Sequence, residues 1–305
     1  MNSKFNYNKF LKKKSCAIFL FHGVVDKKNL GIKNYTGKHI HINKFKKILK
    51  NLKNKGQAIS MDDIITLKKN KIDFPDNSYA ITFDDGYYNN YKLAAPILSE
   101  LNIPATFYIT TDFITNNSMS WIDMIEDSIN RFNYRQEILY KKFKSQSLIS
   151  KKDKIRFLNF LRKEIKTDSK IDPYKEVLNI AKNNNLILNN SLNNIFDKKM
   201  TWSNLNKISS DKKFIVGGHG KTHRILSYLN SKDVKNEIEN SINLIKKKLS
   251  IDVNHFSYPE GLNFCYGKRE ISILKKKGVK CSPSAIHGVN KIKENLFNLK
   301  RIFCR

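Results

Sequence analysis

The 305-residue sequence has no uninterrupted apolar run of the roughly 18 residues that a membrane-spanning helix needs. It has no fixed-period repeat, collagen pattern or sustained heptad repeat, which excludes fibrous and solenoid architectures. Four cysteines, Cys16, Cys265, Cys281 and Cys304, are scattered without a Cys-x-x-Cys pair, so no disulfide-rich scaffold is expected. Because 40% of the residues are hydrophobic, we expect a packed globular protein rather than a disordered chain.

Arginine is scarce in this strongly basic chain. The formal net charge is +30, but only eight of the 57 basic residues are arginine, so 49 are lysine. A nucleic-acid-binding protein is expected to use arginine for bidentate contacts and to gather its charge on one face, whereas lysine recurs here along nearly the whole chain. We therefore expect no nucleic-acid partner, with a basic binder of nucleic acid or of another anionic surface as an alternative. Residues 79–110 are the exception, with one lysine and three acids.

The N-terminal region resembles a short signal segment, because Lys12–Lys14 precede the apolar run Cys16–Phe21. That run has only six residues and no small-residue cleavage site follows it, so we interpret it as a buried first strand. A cytoplasmic location is expected, with peripheral contact to an anionic membrane, or secretion, as alternatives.

Short apolar runs alternate with longer segments of helical periodicity, a pattern typical of parallel βα units. The predicted strands are Cys16–Phe21, Tyr79–Phe83, Ala105–Thr110, Phe214–Gly217, His255–Tyr258, a weak Val279–Ser282 and Leu299–Phe303. Apolar residues at spacings of three and four predict covering helices, including one from Val234 to Leu249 that Ser231 would cap. The prediction is an α/β fold, a distorted or incomplete TIM-like (β/α)7 barrel.

Residues 112–211 do not follow this alternation, because they are rich in lysine and asparagine and mostly helical in pattern. So long a piece between two strands predicts a helical insertion or lid within a barrel domain that spans residues 15–305. Trp121 and the apolar residues around it would either anchor this insertion or roof a site. Anchoring is favoured, because aromatic residues at helical spacing usually belong to a core.

Two adjacent carboxylates, Asp84 and Asp85, follow the predicted strand Tyr79–Phe83 and precede Gly86. Barrel enzymes keep their catalytic residues at the ends of strands. A glycine lets the chain turn, so both carboxylates can reach one cavity, where one could bind a cation and the other a water. Taken alone, these three residues are equally typical of a solvent-exposed turn without a catalytic role.

Two histidines at another predicted strand end, His219 and His223, make a metal site the better interpretation. Four residues apart, they would lie on one face of a helical turn, close enough to chelate one ion. Two imidazoles and one carboxylate form a three-ligand divalent site with positions open for water and substrate.

In this order the motifs resemble those of the polysaccharide deacetylases, the NodB-homology group of carbohydrate esterases. Residues 82–86, Thr-Phe-Asp-Asp-Gly, are similar to the family's first motif, which implies that Asp84 is the catalytic base and Asp85 a metal ligand. Residues 219–223 are similar to the second motif, which implies that His219 and His223 complete the metal site. Residues 256–261, Phe-Ser-Tyr-Pro-Glu-Gly, resemble the third motif, whose Tyr258 and Pro259 would line the groove and offer a backbone N–H to the oxyanion.

The sequence departs from the family pattern at two points. Gly220 replaces a hydroxyl residue that would brace the second motif, and the third motif lacks the arginine that pairs with the base in many members. Arg301, in a segment resembling the family's closing Leu-x-Arg, is predicted to be structural or to pair with a carboxylate. The general acid would be His22, which resembles the histidine of an N-terminal Tyr-His motif in the subgroup that deacetylates poly-N-acetylglucosamine. His287 is the alternative, and His22 is favoured because it ends a strand.

The resemblance therefore implies a metal-dependent hydrolase that removes the N-acyl group, most often acetyl, from an amino sugar. The substrate would be a cell-surface glycan or a lipid-linked or nucleotide-linked precursor. The cofactor would be a divalent metal, with Zn²⁺ first and Ni²⁺, Co²⁺ or Fe²⁺ as alternatives. A non-catalytic carbohydrate-binding barrel is the main competing function.

Overall fold

A computed structural model of the protein describes residues 7–27, 31–132, 137–140, 143–148, 150–188 and 194–305. The elements follow in chain order: β1 (Cys16–Phe21), β2 (Gly23–Val25), β3 (His39–His41), α1 (Ile42–Lys55), β4 (Gln57–Ala58), α2 (Met61–Lys69), β5 (Ser78–Phe83), α3 (Ala95–Glu100), β6 (Ala105–Ile109), α4 (Thr111–Asn116), α5 (Trp121–Arg131), β7 (Glu137–Tyr140), β8 (Phe143–Ser147), α6 (Lys151–Thr167), α7 (Pro173–Asn183), α8 (Trp202–Ser209), β9 (Phe214–Gly218), α9 (Ser231–Leu249), α10 (Lys268–Lys276), β10 (Pro283–His287) and β11 (Leu299–Phe303). No helix in these described ranges is both long and apolar enough to cross a membrane.

The main sheet runs in the order β10-β11-β1-β5-β6-β9, with β4 pairing beside β5, and all its pairings are parallel. Every residue of β1 and β5 is buried, because the strands are covered on both faces. Two isolated parallel bridges, Gly218 with Phe256 and His255 with Cys281, lie between the two ends of this path. The parallel α/β fold predicted from the alternation is confirmed, and the sheet curls as a distorted (β/α)7 barrel does.

Two predicted strands differ from the structure. Val279–Ser282 is wrong as a strand, because the Val279 N–H closes the end of α10 by donating to the Leu274 carbonyl, and Gly278 turns there at φ +86°. The strand lies later, at β10. His255–Tyr258 pairs only through single bridges at its first two residues, since the chain then turns toward Pro259, which has no N–H to donate.

The helices bury the predicted apolar faces, with small shifts at their ends. Val234, Ile238, Ile242 and Ile245 of α9 are buried, but Asn230 caps this helix rather than Ser231, accepting a hydrogen bond from the Asp233 N–H.

Part of the predicted insertion has a hydrophobic core of its own. Elements α5, α6 and α7, with the antiparallel hairpin β7–β8, bury a cluster that includes Trp121, Ile125, Phe157, Leu161 and Val177. Residues Met200, Leu205 and Ile208, at and within α8, instead belong to the barrel core. The predicted segment is therefore not wholly helical, and the boundaries 112–211 remain a prediction.

Candidate active site

A cavity of about 290 Å³ opens at the carboxyl ends of the parallel strands. Asp84 and Asp85 follow β5, His219 follows β9, and His22 follows β1, so the sheet brings them to one edge. His223 and Arg301 also line this cavity. The structure thus gathers the predicted base, the three predicted metal ligands and the favoured general acid around one space.

Asp84 and Asp85 reach the same cavity because the chain turns sharply after β5. Asp85 adopts φ +73° and Gly86 φ +75°, both in the left-handed region. A side chain at Gly86 would also meet Ile114 at 2.8 Å. A non-glycine residue in this conformation is strained, and such strain is commonly found at functional sites.

His219 and His223 lie on a loop and not on a helical turn, so that premise of the sequence prediction is wrong. The loop folds back through Gly220 at φ +79° and His223 at φ +62°, which brings the two imidazole rings to a centroid distance of 4.9 Å. The histidines therefore do converge, but through backbone turns that the spacing of four did not reveal.

The second-motif loop is braced from α9. Glu237 accepts hydrogen bonds from the backbone N–H groups of Lys221 (3.0 Å) and Thr222 (2.9 Å), and from the Thr222 hydroxyl (2.5 Å). A Cβ at Gly220 would lie 3.3 Å from both Glu237 and Pro259. Gly220 has no hydroxyl to hold this loop, and the Glu237 carboxylate of α9 holds it instead.

Asp85, His219 and His223 offer ligand atoms that all lie within 4.8 Å of one another. The Nε2 atoms of His219 and His223 are 3.5 and 3.3 Å from Asp85 Oδ1, which is buried and has no hydrogen-bond partner among the described residues. His219 Nδ1 donates to the Ser257 carbonyl at 2.8 Å, so in the neutral ring Nε2 presents its lone pair to Asp85. Lone pairs that converge in this way fit a cation, and an imidazole held by its other nitrogen is typical of metal ligands.

The charges of these groups respond to burial and to one another. Burial acts to raise the pKa of Asp85, but the positive charge that His223 can carry outweighs burial and holds that pKa well below its usual value. Burial acts to lower the pKa of His223, and the Asp85 carboxylate outweighs it and raises that pKa above its usual value. The carboxylate therefore stays ionised and attracts positive charge, as a metal ligand must.

Asp84 is held by Arg301 from the last strand. Both guanidinium NH groups of Arg301 donate to the carboxylate at 2.8 Å, and Ser257 Oγ lies 3.3 Å from Asp84 Oδ2. Burial acts to raise the pKa of Asp84, but the adjacent guanidinium holds it below its usual value. Arg301 therefore makes with Asp84 the kind of contact for which the third motif lacks an arginine, and it favours the ionised form of this carboxylate.

The two candidate general acids occupy different cavities. His22 lines the catalytic cavity, and burial lowers its pKa to about 4 despite the nearby Asp85 and Asp84. Its buried Nδ1 has no hydrogen-bond partner among the described residues. His287 is exposed and lies at a neighbouring cavity, in edge contact with Phe10. The geometry favours His22.

Tyr258 and Pro259, which were predicted to line the groove, do not line the catalytic cavity. Tyr258 is fully buried, donates its hydroxyl to the Phe297 carbonyl at 3.0 Å and stacks on Tyr266. Its backbone N–H donates to no backbone carbonyl of the described residues. Trp121 packs in the core of the insertion and also lines a 190 Å³ cavity that shares His223 with the catalytic cavity. Its packing fits the anchoring role, and Trp121 does not line the catalytic cavity itself.

Sequence reasoning missed several residues at this site. Ser257 bonds to His219, Asp84 and Arg301. Its position beside the core-facing Tyr258 was the available signal, since alternate side chains of an extended segment face opposite ways. The half-buried Lys166 of α6 pairs with Glu260 at 2.6 Å, which ties the insertion to the third motif. No local sequence pattern predicts this pair, because Lys166 and Glu260 are 94 residues apart.

The comparisons with known proteins agree with the motifs. The family model described as polysaccharide deacetylase matches residues 71–142 and 149–282, two thirds of the chain. The match begins after β1 and runs through most of the predicted insertion. No curated protein matches the chain.

Solved structures with this fold cover nearly the whole chain. The Streptococcus pyogenes deacetylase PplD, in complex with acetate, has a TM-score of 0.62 and 14% identity, over 95% of this chain and 92% of that one. IcaB from Ammonifex degensii has a TM-score of 0.60 and 13% identity, over 97% and 94%. A de-N-acetylase from Aggregatibacter actinomycetemcomitans has a TM-score of 0.57 and 15% identity, over 94% of each chain. At such identities the likeness concerns the fold alone.

Proposed function

The chain belongs to the polysaccharide deacetylase family, and from that membership we propose that it hydrolyses the N-acyl group of an amino sugar with the help of one divalent metal. The observation that carries the proposal is the convergence of Asp85, His219 and His223 beside the ionised Asp84 in one cavity. The most frequent acyl group on amino sugars is acetyl, and we propose an N-acetylated glycan or its precursor as substrate.

Asp85, His219 and His223 would hold the metal. A donor set of two imidazoles and one carboxylate suits Zn²⁺ first, and Ni²⁺, Co²⁺ or Fe²⁺ also accept it. When bound, such an ion polarises the acyl carbonyl and lowers the pKa of water. The hydrogen bond from His219 to the Ser257 carbonyl keeps Nε2 unprotonated and aimed at the cavity.

Asp84 would take the proton of the attacking water. Its two oxygens are fixed by Arg301, so the carboxylate cannot rotate away from the cavity. The low pKa keeps it ionised and therefore able to accept a proton. The backbone N–H of Tyr258 would donate to the oxyanion that develops on the acyl oxygen.

His22 would pass a proton to the leaving amine. Because burial lowers its pKa to about 4, His22 is neutral in the resting site and must take up a proton during turnover. His22 lines the same cavity as the two carboxylates and has an unpartnered Nδ1 among the described residues, which supports such a relay.

The two departures from the family motifs, the missing arginine and Gly220, argue for a non-catalytic barrel. In the structure, each is matched by a replacement contact. Arg301 pairs with Asp84 in place of the missing arginine, and Glu237 braces the loop at Gly220. Arg301 is 217 residues from Asp84, whereas Glu237 lies on α9, which follows the loop that it braces. These two contacts favour an enzyme over a carbohydrate-binding relic of one.

The cellular location also belongs to the proposal. We propose a cytoplasmic enzyme acting on precursors, with secretion and action on finished polymer as the alternative. Fractionation of cells that express the full chain tests this point, because activity recovered only outside the cell would reverse it.

The test of function is acid release from N-acetyl and N-formyl amino sugars by purified protein that has been stripped of metal and then reconstituted. Turnover that requires the added ion supports the proposal. Protein that binds one ion per chain yet hydrolyses no N-acyl sugar would favour the binding barrel, and the Asp84→Asn variant controls for contaminating hydrolases.

A further inference from the structure

Two arginines at the mouth of the catalytic cavity stand apart from the others in the chain. Of the seven arginines in the described ranges, five pair with a carboxylate: Arg131, Arg156, Arg224, Arg269 and Arg301. Arg162 and Arg305 both line the catalytic cavity, and neither forms a close ion pair with a carboxylate of the described residues. Arg162 helps to lower the pKa of Glu260 in this cavity, but the Glu260 carboxylate is paired with Lys166. In a chain where lysine outnumbers arginine 49 to eight, this placement is not explained by general basic composition.

Each of these arginines rests on an aromatic ring. The Arg162 guanidinium lies 6.0 Å from the ring centroid of Tyr35, whose hydroxyl donates to Asn159 Oδ1 on the same helix, α6. The Arg305 guanidinium lies 6.0 Å from the ring centroid of Phe303. Lys44 Nζ donates to the Arg305 carbonyl at 2.9 Å. A ring beneath a guanidinium orients it while leaving its N–H edge for another acceptor.

A second cavity with a basic lining lies beside Arg305. A cavity of about 540 Å³ adjoins the catalytic cavity and shares Thr36, Phe303 and Arg305 with it. Lys9, Lys44 and His287 also line this second cavity, and none of its lining residues is aspartate or glutamate. An anion in the catalytic cavity would therefore meet two arginines, one from α6 of the insertion and one two residues after the end of β11.

We propose that Arg162 and Arg305 form an anion site that binds a phosphate group carried by the amino-sugar substrate. The planar fork of arginine matches phosphate oxygens, and two guanidinium groups with lysines nearby suit the charge of a phosphate better than that of a single carboxylate. This inference rests on the proposed function for the identity of the sugar. It predicts that the substrate is a phosphorylated or diphosphate-linked N-acyl amino sugar rather than a neutral oligomer.

The binding test uses inorganic pyrophosphate and the full chain after removal of metal by a chelator, so that no ion can bind the phosphate. Isothermal titration should give binding that weakens roughly 10-fold or more in Arg162→Ala and in Arg305→Ala. The matched control is Arg156→Ala on the same helix, whose partner is Asp153 and whose loss should leave the affinity unchanged. Equal affinity in all four proteins, or no binding in any, would overturn the anion site.

The substrate test compares kcat/KM for N-acetylglucosamine 1-phosphate, a nucleotide diphosphate-linked N-acetylglucosamine, a short-prenyl diphosphate-linked N-acetylglucosamine and a neutral N-acetylglucosamine tetramer. At least one phosphorylated substrate should exceed the tetramer, and Arg162→Ala should abolish that advantage. The better of the two diphosphates identifies the nucleotide or the lipid source. A tetramer that is hydrolysed best, with no effect of Arg162→Ala, would contradict the inference.

The two proposals fail separately. Arginine-dependent pyrophosphate binding without hydrolysis of any N-acyl sugar would overturn the proposed function and leave the anion site standing. Hydrolysis of the neutral tetramer without pyrophosphate binding would do the reverse.

Discussion

Arg301 on β11 forms two hydrogen bonds of 2.8 Å with Asp84, the residue that follows β5. The side chain of Arg301 is 1% exposed, and its Nε donates to the Ser284 carbonyl, so the guanidinium is fixed on both sides. Because a buried guanidinium needs a counter-charge, Asp84 is held ionised and in place. The chain thus obtains from its last strand a contact that the third motif does not provide.

Removing this contact should affect both activity and stability. We expect Arg301→Lys to lower kcat by about 10- to 100-fold, because lysine cannot donate to both oxygens at once. Arg301→Met should lower the free energy of unfolding by roughly 3–5 kcal/mol, since Asp84 would be left buried and unpaired. Urea denaturation and acetate release measure the two effects. As a control, Arg156→Met breaks an ion pair in which the Arg156 side chain is 59% exposed. It should lower the free energy of unfolding by less than about 1 kcal/mol. An equal loss of stability in both variants would contradict this account.

The proposed roles of Asp84 and the histidines predict different losses. Asp84→Asn should abolish turnover but keep about one divalent ion per chain, because Asp84 is not among the converging ligand atoms. His219→Ala should lose both the ion and turnover. Elemental analysis by mass spectrometry alongside an activity assay measures this, and intact activity in either variant would overturn the assignment.

Alanine substitution should distinguish between the two histidines that were considered as the general acid. His22→Ala should lower kcat by roughly 10²-fold or more, since general acid catalysis contributes about that much. His287→Ala should leave kcat near that of the wild-type protein, because His287 lies outside the catalytic cavity. The reverse result would assign the acid role to His287.

The pH dependence of stability should change sign when metal is added. The pKa of His223 is raised in the folded protein, so its interaction with Asp85 contributes stability that is complete below about pH 6.5, the ordinary histidine pKa, and is lost as pH rises through the folded pKa. Asp85, with a lowered pKa, keeps its contribution until the pH is strongly acidic. Metal-free protein should therefore lose stability above neutral pH.

Metal binding works in the opposite direction, because protons compete with the ion for the imidazole. Tm measured from pH 6 to pH 9 should fall with pH in metal-free protein and gain more from added ion as pH rises. His223→Gln serves as the control that should remove both trends. A metal-free Tm advantage of wild type over this variant that grows with pH would contradict the sign.

Glu237 should matter for metal affinity although it touches no ligand atom. Glu237→Ala releases the N–H groups of Lys221 and Thr222, and we expect about 10- to 100-fold weaker metal binding, as for other residues that orient ligands. Glu239→Ala on the same helix removes only a long ion pair to Lys277 and should leave affinity unchanged. Competition with a chromogenic chelator measures both.

The sequence was enough to predict the parts of the site that are formed by residues close together in the chain. Asp84, Asp85 and Gly86 form one turn, and the alternation of apolar runs specified a parallel α/β fold with its strands ending at that turn. The convergence of His219 and His223 was expected for the wrong reason, because their approach depends on positive φ values at Gly220 and His223 that spacing does not encode.

The sequence offered pairing with a carboxylate as one role of Arg301 but did not identify Asp84 as the partner, and it did not reveal the pair of Lys166 and Glu260. Arg301 and Asp84 are 217 residues apart, and Lys166 and Glu260 are 94 residues apart. Such pairs depend on the order of strands in the sheet and on how the insertion packs, and neither is written in a local pattern. The predicted strand Val279–Ser282 is misplaced because the Val279 N–H donates to the Leu274 carbonyl at the end of α10.

The most direct test of the central claim is acetate release from N-acetylated amino sugars by metal-stripped protein, before and after addition of one equivalent of Zn²⁺, with the His219→Ala, His223→Ala double variant alongside. The account predicts no release without the ion, release after its addition to wild type, and none from the variant at either stage. Release by wild-type protein that does not depend on added metal, or equal release by the variant, would contradict a site built from Asp85, His219 and His223.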